Sequence, residues 1–230
     1  MTKPGWGGRF LRFGMRVFMH GWRIEGLPGD PGTTVFLVHH QNMFGPLHAL
    51  PFLPNSARLW SMASFFDMPS CWHHFYHITL RQRFRWPWPL AAVGAGAVAL
   101  VLPAALHMLR AIPVQRGTGR IVETLDASAL ALAEGDSLLI CPDLDYANHS
   151  PAIGELYTGF LHLEKKYYKA CGRHLPFTPV YCSRNRRTVV VGQPLYFPDG
   201  APFSHERDRM AQRIIDEINE LGRQSGDIPA

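Results

Sequence analysis

Two short strand-like runs, residues 33–38 with Val35-Phe36-Leu37-Val38 and residues 137–141 with Leu138-Leu139-Ile140-Cys141, are apolar on both faces rather than at every second position. A strand that alternates has one face in water. One that does not is covered on both faces, as in a parallel sheet sandwiched by helices. Further strand-like runs lie at 58–63, 112–114, 177–182 and 188–191. Helical patterns separate them. Residues 46–53 open one, and Ile121, Leu125, Ala129 and Leu132 mark a second that Gly135 ends. A third runs over 205–223, with Met210, Ile214, Ile218 and Leu221 inward and Ser204 as the expected N-cap. This order predicts an α/β fold: one layered domain with a mixed, largely parallel central sheet flanked by helices. The 230 residues suit one domain, and 47% hydrophobic against 18% charged residues excludes disorder.

The net charge of +5 has one address. Residues 1–23 contain Lys3, Arg9, Arg12, Arg16 and Arg23 and no acid, and the rest of the chain is neutral. A nucleic-acid binder spreads its cations over a reading surface, so no nucleic-acid partner is expected. Arg9, Arg12, Arg16 and His20 share one helical face, and Phe10, Leu11, Phe13, Met15, Val17, Phe18, Met19 and Trp22 fill the rest. Residues 1–25 therefore read as an amphipathic helix at an anionic membrane surface, apolar side in lipid and arginines at the headgroups. The alternative is a helix packed on the domain with its basic stripe in water. Arginines interrupt the apolar stretch, so no cleavable signal is expected. Cys71, Cys141, Cys171 and Cys182 form no C-x-x-C pair and read as reduced thiols.

From Trp86 to Leu109 the chain carries no Lys, Arg, Asp or Glu. That length spans a bilayer, but Pro87, Pro89, Pro103 and many Ala and Gly residues make a poor span. A single crossing would also divide the domain. The segment reads as a hydrophobic insertion of residues 26–230, either a re-entrant or interfacial hairpin or a buried core helix. Gly94-Ala95-Gly96 is its turn or a close packing contact. Arg81, Arg83 and Arg85 beside Trp86 and Trp88 suit headgroup depth or an ordinary surface.

Several patterns are set aside. Gly94-x-Gly96-x-x-Ala99 lacks the preceding strand and later acid of a dinucleotide site. His39-His40 with His48, and His73-His74 with His77, are expected chance clusters among 12 histidines. Asp143-x-Asp145 lacks the glycine and closing acid of a calcium loop. No metal and no cofactor is expected.

The string His39-His40-Gln41-Asn42-Met43-Phe44-Gly45 closes the first apolar run. A histidine just past a buried strand is well placed for general-base work, because the strand holds it rigidly at the mouth of the sheet. The string resembles the histidine motif of the glycerolipid acyltransferases of the 1-acylglycerol-3-phosphate (PlsC-like) type. There a His and an Asp are separated by four residues; here Gly45 holds the Asp position. Four further blocks resemble that family in order: Ala111-Ile112-Pro113-Val114-Gln115-Arg116-Gly117, then Cys141-Pro142-Asp143 with Leu156-Tyr157-Thr158-Gly159, then Leu175-Pro176-Phe177-Thr178-Pro179-Val180, then Gly192-Gln193-Pro194-Leu195. The likeness covers nearly the whole chain, with a longer gap between the first two blocks.

The resemblance implies a membrane-associated acyltransferase on the cytoplasmic face. It would move an acyl group from a thioester, acyl-CoA or acyl carrier protein, to a lipid or glycerol-phosphate acceptor. By position His40 is the general base and Arg116 the phosphate anchor. His39, Asn42 and Gly159 fall at substrate-binding positions. The family's third motif, Phe-Pro-Glu-Gly-Thr-Arg-Ser, reads here Cys141-Pro142-Asp143-Leu144-Asp145-Tyr146-Ala147, without the arginine. Asp143 or Asp145 is expected to orient His40 in place of the lost acid. The alternative is a non-catalytic lipid-binding relative.

Overall fold

The computed structural model describes residues 5–115 and 119–229. Strand β2 (Val35–Val38) is buried throughout and feeds two cores. Val35 and Leu37 join one, Phe36 and Val38 the other, as a strand covered on both faces requires. The sheet has seven strands in the order β1 (Arg23–Glu25), β7 (Thr188–Val191), β6 (Phe177–Ser183), β2, β5 (Ser137–Ile140), β3 (Ala57–Met62), β4 (Ile112–Val114). Only β6 and β7 pair antiparallel. The mixed, largely parallel sheet expected from the apolar runs is the one observed.

Helices α5 (Ile121–Ala133), α6 (Leu163–Cys171) and α7 (Phe203–Gln224) cover the first core. Helix α2 (Phe44–Phe52), with Met15 of α1 (Trp6–Phe18), covers the second. Met210, Ile214, Ile218 and Leu221 of α7 point inward as expected. Ser204 does not cap that helix; it lies in the first turn, and Pro202 precedes the helix. Gly135 adopts φ 94° directly after α5, where a side chain would be strained.

Helix α1 is turned the other way from the expected headgroup arrangement. Arg12 is 3% exposed and donates to the carbonyls of Leu50, Leu53 and Ala57, and Arg16 donates to that of Pro51. These carbonyls close α2 and lead into β3, so the guanidinium groups satisfy acceptors that a helix end leaves open. Burial, reinforced by Arg16, lowers the Arg12 pKa to about 10, which leaves it charged at neutral pH. The apolar face of α1 consequently points outward, with Trp6 90% and Phe18 93% exposed and Phe10, Phe13 and Val17 beside them. Gly8 lets α1 meet the next apolar helix, α4 (Trp88–Met108): a Cβ there would lie 2.5 Å from the Met108 carbonyl oxygen.

The crossover from β3 to β4 is a helical hairpin. Helix α3 (Met68–His74) runs into a nine-residue π-helix (Phe75–Arg83), the chain turns at Arg85 (φ 54°), and α4 returns. Gly94 lies inside α4, its Cα against Leu80 and Trp86, so it is a packing contact and not a turn. Helix α4 is long and apolar enough to cross a membrane, yet only 22% of its apolar window is buried. A stripe of Ala91, Ala95, Ala99 and Leu106 packs inward, while Trp88, Leu90, Val93, Leu100 and Val101 face out. It is not a buried core helix. The strands that enter and leave this hairpin, β3 and β4, pair in one sheet.

Candidate active site

The carboxyl ends of β2 and β5 lie side by side at the centre of the sheet, where α/β folds present ligand sites. His39 and His40 follow β2; Cys141-Pro142-Asp143 follows β5. Asp143 is buried and clasps the two histidines. Its Oδ1 meets His39 Nδ1, and its Oδ2 accepts the His40 backbone N–H at 3.0 Å. His39 is also buried, and its Nε2 meets the Ser150 carbonyl at 2.9 Å. Both ring nitrogens of His39, expected at a substrate-binding position, are thus engaged inside the protein, where the side chain serves as an internal strut.

His40 has its ring Nδ1 2.8 Å from the Tyr146 carbonyl oxygen. The backbone N–H of Met43 approaches the same nitrogen at 3.1 Å. The two contacts call for opposite tautomers. With the proton on Nδ1, the ring donates to the Tyr146 carbonyl and Nε2 carries the lone pair of a base; with it on Nε2, Nδ1 accepts the Met43 N–H. Of the two acids expected to orient His40, Asp143 accepts its backbone N–H, and the Asp145 side chain accepts the Ala147 N–H at 3.0 Å within its own turn. What these acids position is the 143–150 loop that presents the Tyr146 carbonyl; the Tyr146 ring stands edge-on to His40 at 6.0 Å.

The loop after His40 is bent sharply. Gln41, Asn42 and Met43 take φ of 44°, 53° and 74°, three successive left-handed residues without a glycine. Such backbone is held by its surroundings, at a cost of order 1–3 kcal/mol per residue. Gly45 is what lets the loop close. A Cβ at this position would sit 1.9 Å from the His39 carbonyl oxygen and 2.9 Å from Val38 Cγ1. Behind it, the buried Cys182 thiol donates to the Gly45 carbonyl at 3.4 Å. Burial pushes that thiol's pKa far up, so Cys182 is packing and not a nucleophile.

The remaining expected site residues are spread more widely. Asn42 is half-buried and bridges two segments: its Oδ1 accepts from Arg83 Nη2 at 2.5 Å, and its Nδ2 meets His149 Nε2 at 2.9 Å. Gly159 is the second residue of a short 3₁₀ turn (Thr158–His162), where a Cβ would strike the Tyr157 ring; Tyr157 N–H is tied to the Pro142 carbonyl, so this glycine backs the 141–143 block. Arg116 lies outside the described residues. His48 stacks between Trp22 and Phe44, at 4.3 and 4.1 Å, and burial outweighs its bond to the Phe44 carbonyl to lower its pKa. Among the described residues no group of three or more His, Cys, Asp or Glu is placed to hold a metal. Sequence reasoning missed Tyr146, whose part is played by a backbone carbonyl, and Arg83, which is 41 residues from Asn42.

No protein-family model matches the sequence, and no curated protein does. Among solved structures, the crystal structure of the 1-acyl-sn-glycerophosphate (LPA) acyltransferase PlsC from Thermotoga maritima is similar, with a TM-score of 0.53 and 14% identity over 93% of this chain and 78% of that one. At this identity the likeness is one of fold: the chain has the α/β architecture seen in that acyltransferase.

Proposed function

We propose that the chain is a membrane-associated acyltransferase that moves an acyl group from a thioester to a hydroxyl of a lipid or glycerol-containing acceptor. The observation that carries this reading is His40, held at the carboxyl end of a central strand with its Nδ1 against the Tyr146 carbonyl. In the proposed step, Nε2 takes the proton of the acceptor hydroxyl as its oxygen attacks the thioester carbonyl carbon. The tetrahedral intermediate collapses, the C–S bond breaks, and the thiolate takes its proton from the imidazolium. Met43 and Tyr146, both partly exposed, contact His40 and give an acyl chain an apolar rest. Arg116 serves as an anion anchor by its place in the resembled motif. The outward apolar faces of α1 and α4 are the proposed lipid contact, and four free cysteines suit the cytoplasmic side.

The test is a panel. Radiolabelled acyl-CoA and acyl carrier protein are supplied with lyso-lipid acceptors and with the His40→Ala variant alongside. Product that depends on His40 supports the enzyme. Lipid binding without turnover for any pair supports the non-catalytic reading, which Gly45 in place of an acid favours.

A further inference from the structure

Arg83 joins the last turn of the π-helix to the histidine loop, and its charge has no carboxylate partner among the described residues. Nη2 is spent on Asn42 Oδ1, two residues past His40. The side chain is exposed, and its guanidinium lies 5.9 Å from the Phe84 ring. Other cations of this region are occupied differently. Arg81 donates to the Trp86 carbonyl at 2.8 Å, and Arg184 lies over the Phe44 ring at 3.9 Å. On the opposite side of the histidine loop, residues 141–150 contain no Lys or Arg, and His149 takes the other end of the Asn42 amide. A nine-residue π-helix is rare, and such segments gather at functional sites. Here it ends on the arginine that reaches the loop.

We infer that Arg83 is a substrate-binding residue: it holds a phosphate ester beside His40, with Asn42 fixing the guanidinium so that its remaining N–H groups face the ligand. A guanidinium offers five donors in a plane, and one bond to Asn42 leaves a fork free for two phosphate oxygens. The inference rests on the acyl-transfer reading for its substrate. The shared chemistry, a phosphate ester, is found both in the headgroup of a lyso-phospholipid and in coenzyme A. An amide-anchored cation without a carboxylate partner among the described residues, tied through Asn42 to the loop that carries His40, matches an anionic group attached to an acyl chain or to its carrier.

The experiment compares wild type, Arg83→Gln and Arg83→Lys in four steady-state assays: lysophosphatidate against monoacylglycerol as acceptor, and acyl-CoA against acyl-N-acetylcysteamine as donor. Arg83→Gln is expected to raise KM on the order of tenfold or more for one phosphate-bearing substrate. Its phosphate-free counterpart should be unaffected, and Arg83→Lys should fall between. A change confined to the acceptor pair assigns the headgroup; one confined to the donor pair assigns coenzyme A. Equal losses with and without phosphate would make Arg83 a loop strut and overturn the inference, as would no change. If wild type turns over nothing, acyl transfer fails on its own account. Tryptophan-fluorescence titration with lysophosphatidate, monoacylglycerol and coenzyme A then decides: phosphate-dependent binding weakened about tenfold in Arg83→Gln sustains the role, and binding that is absent or insensitive to the variant overturns it.

Discussion

The Cβ that any residue other than glycine would place at position 45 meets the His39 carbonyl at 1.9 Å. The resembled motif has its orienting acid at this position, and here the backbone occupies the space. Gly45→Asp is therefore expected to destabilise the fold by about 3 kcal/mol or more and to abolish activity instead of improving it. Thermal unfolding of the variant checks this, and a Gly45→Asp protein as stable as wild type would contradict the packing. In the proposed mechanism the Tyr146 carbonyl, 2.8 Å from His40 Nδ1, stands in for the lost acid but brings no charge. That substitution could not be read from the residues. Asp143 and Asp145 were visible as acids near a histidine, whereas an accepting carbonyl belongs to every residue and has no letter of its own.

Helix α1 shows what periodicity conveys and what it omits. Spacing put Arg12 and Arg16 on one face; it did not say that this face turns inward. The open carbonyls at the end of α2 decide the matter, because a buried acceptor without a donor costs about 1–3 kcal/mol. Replacing Phe10 and Phe13 by Asp, both on the outward face, should weaken partitioning to anionic vesicles on the order of a hundredfold with the melting temperature unchanged. Unchanged partitioning would move the contact to α4. Between α6 and β6, His174 bonds Glu164 at 2.5 Å and Asp199 at 2.9 Å. Burial pulls its pKa down, but the two carboxylates outweigh burial and the net direction is up. A folded pKa above the unfolded value of 6.5 gives stability that is full below pH 6.5 and lost as pH rises through the folded value. Melting temperatures across pH 5.5–8.5, a range set about the usual histidine pKa of ~6.5, should fall more for wild type than for His174→Gln. Parallel curves would show that the cluster contributes nothing.

Across the whole molecule, the sheet was the most legible part. Runs without alternation, such as Val35-Phe36-Leu37-Val38, have only one stable environment, the covered centre of a parallel sheet. The strand β1, three residues of which two are charged, carries no such signal; its pairing with β7 comes from tertiary contact. The α3 and π-helical segment was not assigned, although Trp72, Phe75, Tyr76 and Leu80 stand at helical spacing and pack together, and the stretch 163–171, Leu-Glu-Lys-Lys-Tyr-Tyr-Lys-Ala-Cys, reads as polar until Leu163 and Tyr167 are seen facing the core. The fold brings β2, β5, the π-helix end and the outward apolar helices together, so the proposed base, a candidate anion contact and an outward apolar surface lie on one frame. His40 is the point at which they meet. The most direct measurement is the rate of acyl transfer from a labelled thioester by purified wild type and His40→Ala under saturating acceptor. The account predicts that kcat falls on the order of a thousandfold while KM changes little. Turnover that persists in His40→Ala would contradict it.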